Sequence, residues 1–161
     1  MSCSCAGTPY VHHFWLTAPV APRRFLSRWN LAVLDTDEKG KGLFAQRDIP
    51  AGAYLFDYEG EALDLPDYQT RYPDKVSDYA VGIKMPDGRM RFMDAVDPRK
   101  SGLARFMNHD RSRANVRRAT KLDGPSPRVL MYTTRRIQAG EEIQWDYGGG
   151  YWAARKGLVE D

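Results

Sequence analysis

Glycine and proline interrupt this chain so often that no long helix fits between them. With 14 glycines and 10 prolines, its apolar runs are short, and their composition is that of strands. Asn30–Leu34 is short and apolar, and Tyr54–Tyr58 is aromatic and bounded by Gly52 and Gly60. Tyr79–Met85 and Met90–Asp94 flank Pro86-Asp87-Gly88, a hairpin signal. Val129–Thr133 is β-branched and aromatic, and Glu142–Trp145 follows a glycine turn. Only Pro98–Met107 and Trp152–Val159 suit a helix. The pattern predicts a mainly β fold, closed or divided among several sheets.

At 161 residues and 18.4 kDa the chain suffices for a single core. Residues 1–28 have no helix or strand period and read as an extension, either packing or flexible, or a targeting segment, since they carry arginine and no acid. Residues 29–150 then form the domain, and 151–161 a short closing segment. Three of the 24 basic residues, Arg23, Arg24 and Arg28, precede the first acid, Asp35, so the remaining basic residues balance the 21 acids. Bulk charge therefore does not make the domain a nucleic-acid binder. No apolar run reaches the ~18–20 residues of a membrane span. Cys3 and Cys5 can build neither a disulfide framework nor a cysteine-rich zinc site, and no metal is expected.

The chain contains one echo. Arg47-Asp48-Ile49-Pro50-Ala51-Gly52 returns as Arg135-Arg136-Ile137-Gln138-Ala139-Gly140, and each copy leads to an aromatic run and a glycine. The same turn-plus-strand unit is expected twice.

Four segments could carry chemistry. Lys39-Gly40-Lys41-Gly42-Leu43 is a glycine-rich turn without the lysine–serine or lysine–threonine ending of a phosphate loop. Arg105-Phe106-Met107-Asn108-His109-Asp110 sets an amide, an imidazole and a carboxylate side by side, suited to a polar ligand or to purely structural bonding. Aromatics cluster at strand ends (Tyr58, Tyr79, Trp145, Tyr147, Tyr151 and Trp152), either as core or as the wall of a channel able to hold a cation. Arg111, Arg113, Arg117, Arg118 and Lys121 form a basic run, read as a solvated loop or as a docking patch.

Together these segments resemble the SET-domain protein lysine methyltransferases. That family shows a Gly-x-Gly turn, then Tyr-x-Gly, then an Arg-φ-x-Asn-His motif, then Glu-Glu-φ-x-x-Asp-Tyr. The matching stretches are Gly40-Lys41-Gly42, Tyr58-Glu59-Gly60, Arg105–His109 and Glu141–Tyr147. The resemblance implies a SET-domain, β-clip-like fold of small curved sheets with a C-terminal pseudoknot, few short helices, and S-adenosylmethionine as methyl donor. It implies that Lys39, Gly40, Lys41, Gly42 and Leu43 meet the methionine moiety. Asn108 and His109, with Arg105, would hold the rest of the cofactor. Tyr147 would be the catalytic tyrosine, Tyr58 a wall of the lysine channel, and Tyr79 an aromatic near both substrates. Trp145 occupies a channel position tied in the family to the number of methyl groups added. The chain departs from the family at Asp110, where serine is usual, and in Arg111–Asn115, which replaces Cys-x-Pro-Asn. The family's cysteine-rich zinc tail is also missing, so Trp152, beside Tyr151, becomes the expected cover for adenine.

The chemistry is in-line displacement at a sulfonium, helped chiefly by alignment. A lysine of ordinary pKa ≈ 10.4 must first lose a proton, which an apolar wall and a neighbouring positive charge favour. Histone lysines in the nucleus are the expected target, with nucleosome contact through Arg111, Arg113, Arg117 and Arg118. The alternatives are a non-histone protein in the cytoplasm or an organelle, and a catalytically silent peptide-binding module. Retention of Tyr58, Asn108, His109 and Tyr147 argues against the silent module.

Overall fold

Nearly every glycine-bounded run becomes a strand in the computed structural model, which describes residues 23–25, 28–73, 76–123 and 126–153. In chain order these are β1 (Arg23–Phe25), β2 (Leu31–Thr36), β3 (Gly40–Ala45), β4 (Tyr54–Asp57), β5 (Glu61–Asp64), the helix α1 (Leu65–Arg71), β6 (Ala80–Lys84) and β7 (Met90–Asp94). A 3₁₀ turn over Leu103–Phe106 leads to β8 (Asn108–His109), β9 (Val116–Lys121), β10 (Arg128–Thr133), β11 (Gln144–Trp145) and the short helix α2 (Gly149–Ala153). The strands form three sheets ordered β1-β2-β3, β5-β7-β6 and β4-β10-β9-β11-β8. The mainly β, multi-sheet expectation holds.

The core lies where the sheets meet. Leu31, Leu43, Ile49, Met107, Met131, Ile137 and Ile143 are fully buried there, each such side chain contributing about 1.5–3 kcal/mol. The echo accounts for part of this core. Ile49 and Ile137 form an antiparallel bridge and exchange backbone hydrogen bonds of 2.8 and 2.9 Å, so the two copies pair with each other. Each copy then turns at a glycine of positive φ, 71° at Gly52 and 86° at Gly140, a conformation other residues adopt at a cost. Arg136 of the second copy bonds Asp48 of the first.

The outer sheet is secured by a buried carboxylate. Asp94, at the end of β7, accepts from Arg71 Nη1 (3.1 Å), Tyr72 Oη (2.7 Å), Ser77 Oγ (3.3 Å) and the Val96 amide (3.2 Å). Its burial is tolerated because all these donors converge on it.

The defining connection is in the third sheet. β11 lies between β8 and β9 and runs parallel to both, with Gln144 opposite Asn108 and Trp145 opposite both His109 and Val116. The chain thus threads past the loop that joins β8 to β9, as a pseudoknot requires. Asn115, 1% exposed, holds the thread. Its Nδ2 donates to the Glu142 carbonyl (2.8 Å) and to Glu141 (3.2 Å), its Oδ1 accepts from the Gln144 amide (2.9 Å), and its own amide donates to the Gln144 carbonyl (2.9 Å).

Several expectations need correction. The helix predicted over Pro98–Met107 shrinks to the 3₁₀ turn, because the segment must end as a strand beside β11. Residues 1–28 carry no strand period, yet β1 lies among them and pairs with β2 of the domain. The basic run read as a solvated loop is half strand, since β9 is fixed on both sides by β10 and β11. Neither helix α1 nor β5, which follows Gly60 and joins a different sheet from β4, was expected. α2 begins at Gly149, and residues 154–159 of the helix predicted to run to Val159 lie outside the described residues.

Replacing Asn115 with alanine leaves the Gln144 amide and the Glu142 carbonyl without a buried partner. A loss of about 2–4 kcal/mol in urea unfolding is expected. A second outcome concerns pH. Arg135 bonds Glu141 and holds its pKa at about 2, against an ordinary 4.5. A carboxylate depressed on folding stabilises above its unfolded pKa and ceases to do so as pH falls through the folded one. The stability gap between the wild type and Glu141→Gln should therefore be full at pH 6 and close between about pH 4.5 and 2. Parallel melts across that range check it.

Candidate functional site

Two cavities meet at a pair of tyrosines. The first, about 540 Å³, is walled by aromatic groups, Tyr58, Tyr79, Trp145, Tyr147 and Tyr151 among them. The second, about 580 Å³, is polar and more open, formed by Lys39, Asn108, His109, Asp110, Arg111, Ser112, Tyr147 and Tyr151. Tyr147 and Tyr151 belong to both, their rings edge to face at 4.7 Å.

Tyr147 is placed by the threading. Two residues beyond β11, its amide donates to His109 Nδ1 (3.1 Å) on the neighbouring strand, which makes Nε2 the donor of that ring. Its hydroxyl donates to the Met107 carbonyl at 2.9 Å, and its ring stands 5.2 Å from Trp145. Tyr58, 5% exposed, donates its hydroxyl to the Tyr79 carbonyl at 2.9 Å. Burial, followed by the nearby Tyr147 and Asp94, pushes the Tyr58 phenol well above its ordinary 10. Both phenols spend their proton on a backbone carbonyl, so toward the cavity each oxygen can act only as an acceptor. Trp145 supplies the reverse, an indole N–H that is buried and meets no acceptor among the described residues.

Arg105 lies under the same wall. Its guanidinium stacks at 4.9 Å from the Tyr79 ring and 5.5 Å from Phe106, and Nη1 donates to Ser101. Arg105 lines the aromatic cavity rather than the polar cleft.

The glycine-rich turn contributes less side-chain surface to the cleft than expected. Lys39 reaches it, Nζ donating to the His109 carbonyl at 2.9 Å. Gly40 makes the turn itself at φ 70°. Lys41 points to Asp35, while its carbonyl accepts from Asn108 at 3.2 Å. Leu43 is fully buried in the core, because β3 alternates and Leu43 falls on its inner side. Gly42 sits within β3 opposite Leu34, and its role is close approach. A Cβ there would lie 2.6 Å from Glu142 Oε1 and 2.8 Å from Thr36. That same Oε1 accepts from Asn108 Nδ2 at 2.8 Å, and Glu142 Oε2 accepts from Gln144 at 2.8 Å. The missing side chain at Gly42 thus makes room for the carboxylate that orients Asn108.

Asp110 rebuilds the segment where the family's usual residues are replaced. Its Oδ1 accepts from the Ser112 amide and hydroxyl and from the Arg113 amide, and its Oδ2 from Arg113 Nε at 2.7 Å. These bonds, the Arg113 amide foremost, hold its carboxyl far below the usual range. Arg111 is exposed, Arg117 stacks at 5.3 Å on Tyr132, and Arg118 turns to the aromatic cavity. Trp152, the expected cover for adenine, belongs to α2, and its side chain lies outside the described residues; Tyr151 beside it lines both cavities.

Sequence reasoning missed Asn115, Glu142 and Asp78 as parts of the site, and read Arg118 as a docking residue rather than as part of the cavity wall. Glu142 had a signal, the paired acids ahead of the aromatic strand. Asp78 lines the aromatic cavity and accepts from the Tyr151 hydroxyl at 3.3 Å. Nothing in local pattern marks Asn115, whose partners are 26–29 residues away.

Residues 40–148 match the model of the SET domain. A histone-lysine N-methyltransferase of Yarrowia lipolytica, H3 lysine-36 specific, is 34% identical over 71% of this chain and 15% of its own length. The histone-lysine N-methyltransferase SETMAR of Bos taurus is 30% identical over 77% of this chain and 42% of its own. The crystal structure of the methyltransferase domain of human SETMAR superposes with a TM-score of 0.67 at 26% identity, over 78% of this chain and 46% of that one. The chain thus spans less than half the length of each of these relatives.

The tie between Gly42 and Glu142 can be measured without any assumption about activity. Gly42→Ala should destabilise strongly alone, and less on a Glu142→Ala background, where the closest of the three obstructing groups is gone. A double-mutant cycle in urea should give a coupling of about 1–3 kcal/mol, and additive losses would refute the steric account.

Proposed function

Since the chain belongs to the SET-domain family, we propose that it is a protein lysine N-methyltransferase that uses S-adenosylmethionine and acts on histone lysines. The observation that carries this reading is the shared tyrosine wall. A polar cleft and an aromatic cavity meet at Tyr147, so a donor in one and an acceptor in the other can approach along one line.

The polar cleft suits a nucleoside joined to an amino acid. Lys39 offers an ammonium to a carboxylate, the Asn108 and His109 strand offers polar edges, and Tyr151 offers an aromatic face. Gly40, Lys41 and Gly42 would act through backbone and through Glu142, Leu43 by packing, and Arg105 by steadying the wall from below. S-adenosylmethionine, when bound, supplies an electrophilic methyl group.

The chain's own residues would prepare the nucleophile. Tyr58, Tyr79 and Trp145 wall an apolar passage that tolerates an entering ammonium by cation–π attraction and favours its neutral form once inside. The Tyr147 and Tyr58 oxygens, acceptors only, can orient N–H groups and leave the amine lone pair directed at the cleft. No histidine or glutamate base is needed in this scheme. The curated relatives' names support a histone substrate, which would locate the protein in the nucleus. Exposed Arg111 and Arg117 would be free of catalytic duty to contact a nucleosome.

The test is transfer of labelled methyl from S-adenosylmethionine to core histones, nucleosomes and total protein extract. Label on a histone is expected, with kcat lowered about 100-fold by Tyr147→Phe and cofactor affinity changed less than tenfold. Label confined to extract proteins would move the substrate away from chromatin. The silent-module reading would replace this one if neither transfer nor cofactor binding were found.

A further inference from the structure

Arg118 carries a charge that nothing in its surroundings requires. Its cross-strand partner on β10 is Met131, fully buried, and two residues earlier on the same face of β9 is Val116, also buried. The side chain therefore starts from the face of the strand that bears buried residues, yet it stays exposed to solvent and lies along the wall of the aromatic cavity. There Nη1 donates to the Gly82 carbonyl of β6 at 3.1 Å. Other arginines sit on carboxylates, as Arg71 does on Asp94 and Arg128 on Asp57. Arg118 has no ion pair among the described residues, and loss of water alone pulls its pKa below the usual value.

A strut from β9 to β6 would need one neutral donor. A guanidinium held partly out of water with one of its five N–H groups on a carbonyl is instead prepared for an anion. The same cavity also holds the opposite sign. Asp78, in the turn that leads into β6, lines it as well. A peptide laid across this mouth would meet both an acid and a base.

We propose that Arg118 selects substrates bearing an anionic side chain on one side of the target lysine, within about three residues of it. The inference rests on the methyl-transfer reading, since it presumes that a lysine enters the aromatic cavity. The anion can be an aspartate or glutamate carboxylate or a phosphorylated serine, which share the bidentate geometry a guanidinium recognises.

The experiment uses the full chain and lysine peptides with Ala, Glu, Arg or phosphoserine at each of three positions on either side. Methyl transfer gives kcat/KM, and fluorescence anisotropy gives peptide affinity separately. The expected result is a preference of at least tenfold for an anion over alanine on one side only. Arg118→Gln, which keeps a donor for Gly82, should flatten that preference while the melting temperature stays within a few degrees, and Arg118→Glu should turn it toward arginine. Should Arg118→Glu fail to fold, the glutamine variant carries the comparison. Preference for phosphoserine without preference for glutamate would identify the anion as a phosphate, and equal preference would identify it as charge alone. Equal kcat/KM for anionic and neutral peptides, or a preference surviving in Arg118→Gln, overturns the inference. Selective binding without methyl transfer would uphold Arg118 and overturn the enzyme reading, whereas absent transfer with indifferent binding would overturn both.

Discussion

A two-residue strand cannot hold itself between two neighbours by backbone pairing alone, and the site depends on one that is held by a side chain. β11 contributes only Gln144 and Trp145 to the sheet, and parallel pairs are the weaker kind. The Asn115 amide supplies what the ladder lacks, gripping the chain at Glu142 and at Gln144. Because the grip comes immediately before Trp145 and Tyr147, it fixes both rings relative to His109 and Met107. The bridge between Ile49 and Ile137 fixes the approach to the same thread from the other side. Displacing either would move the shared wall of the two cavities, not merely a loop.

Tight approach and charge are solved together around β3. Gly42 leaves space that a carboxylate fills, and that carboxylate orients Asn108 and Gln144. Glu142 is therefore a positioning residue, with no contact of its own with the polar cleft. Asp110 does comparable work on the other side of His109. It ties Ser112 and Arg113 into a turn, so the strand carrying His109 is followed by a fixed loop. The replacement of the family's usual serine at this point thus brings its own set of hydrogen bonds.

What local pattern could reveal, it did: the strand runs, the hairpin at Pro86–Gly88, and the echo, whose two copies prove to pair with each other. The four motifs carried the family resemblance because each is short and contiguous. The misreadings have physical causes. β9 carries Arg117, Arg118 and Lys121 and looks soluble, yet tertiary pairing on both edges outweighs its weak strand propensity. α1 buries no residue and so presents no apolar stripe to read; Asp64, accepting the Asp67 amide, and the ion pairs of Arg71 hold it instead. Asn115 and Arg118 act on residues distant in sequence, and no spacing rule reaches that far.

The division of labour between the cavities follows from where each phenol sends its proton. A tyrosine with an unspent hydroxyl could donate to an amine lone pair and so block the electrons that a displacement needs. Tyr58 and Tyr147 are both committed to carbonyls, of Tyr79 and Met107, and burial keeps the Tyr58 phenol protonated. The wall thus presents acceptors where an amine must be aligned and aromatic faces where its charge must first be tolerated. The polar cleft, with Lys39 at its edge, presents donors where an anionic carboxylate would lie. On the methyl-transfer reading, the two cavities, joined at Tyr147 and Tyr151, divide the binding of the methyl donor from the alignment of the amine. A module serving only to bind a peptide would, on this reading, leave the second cavity without a role.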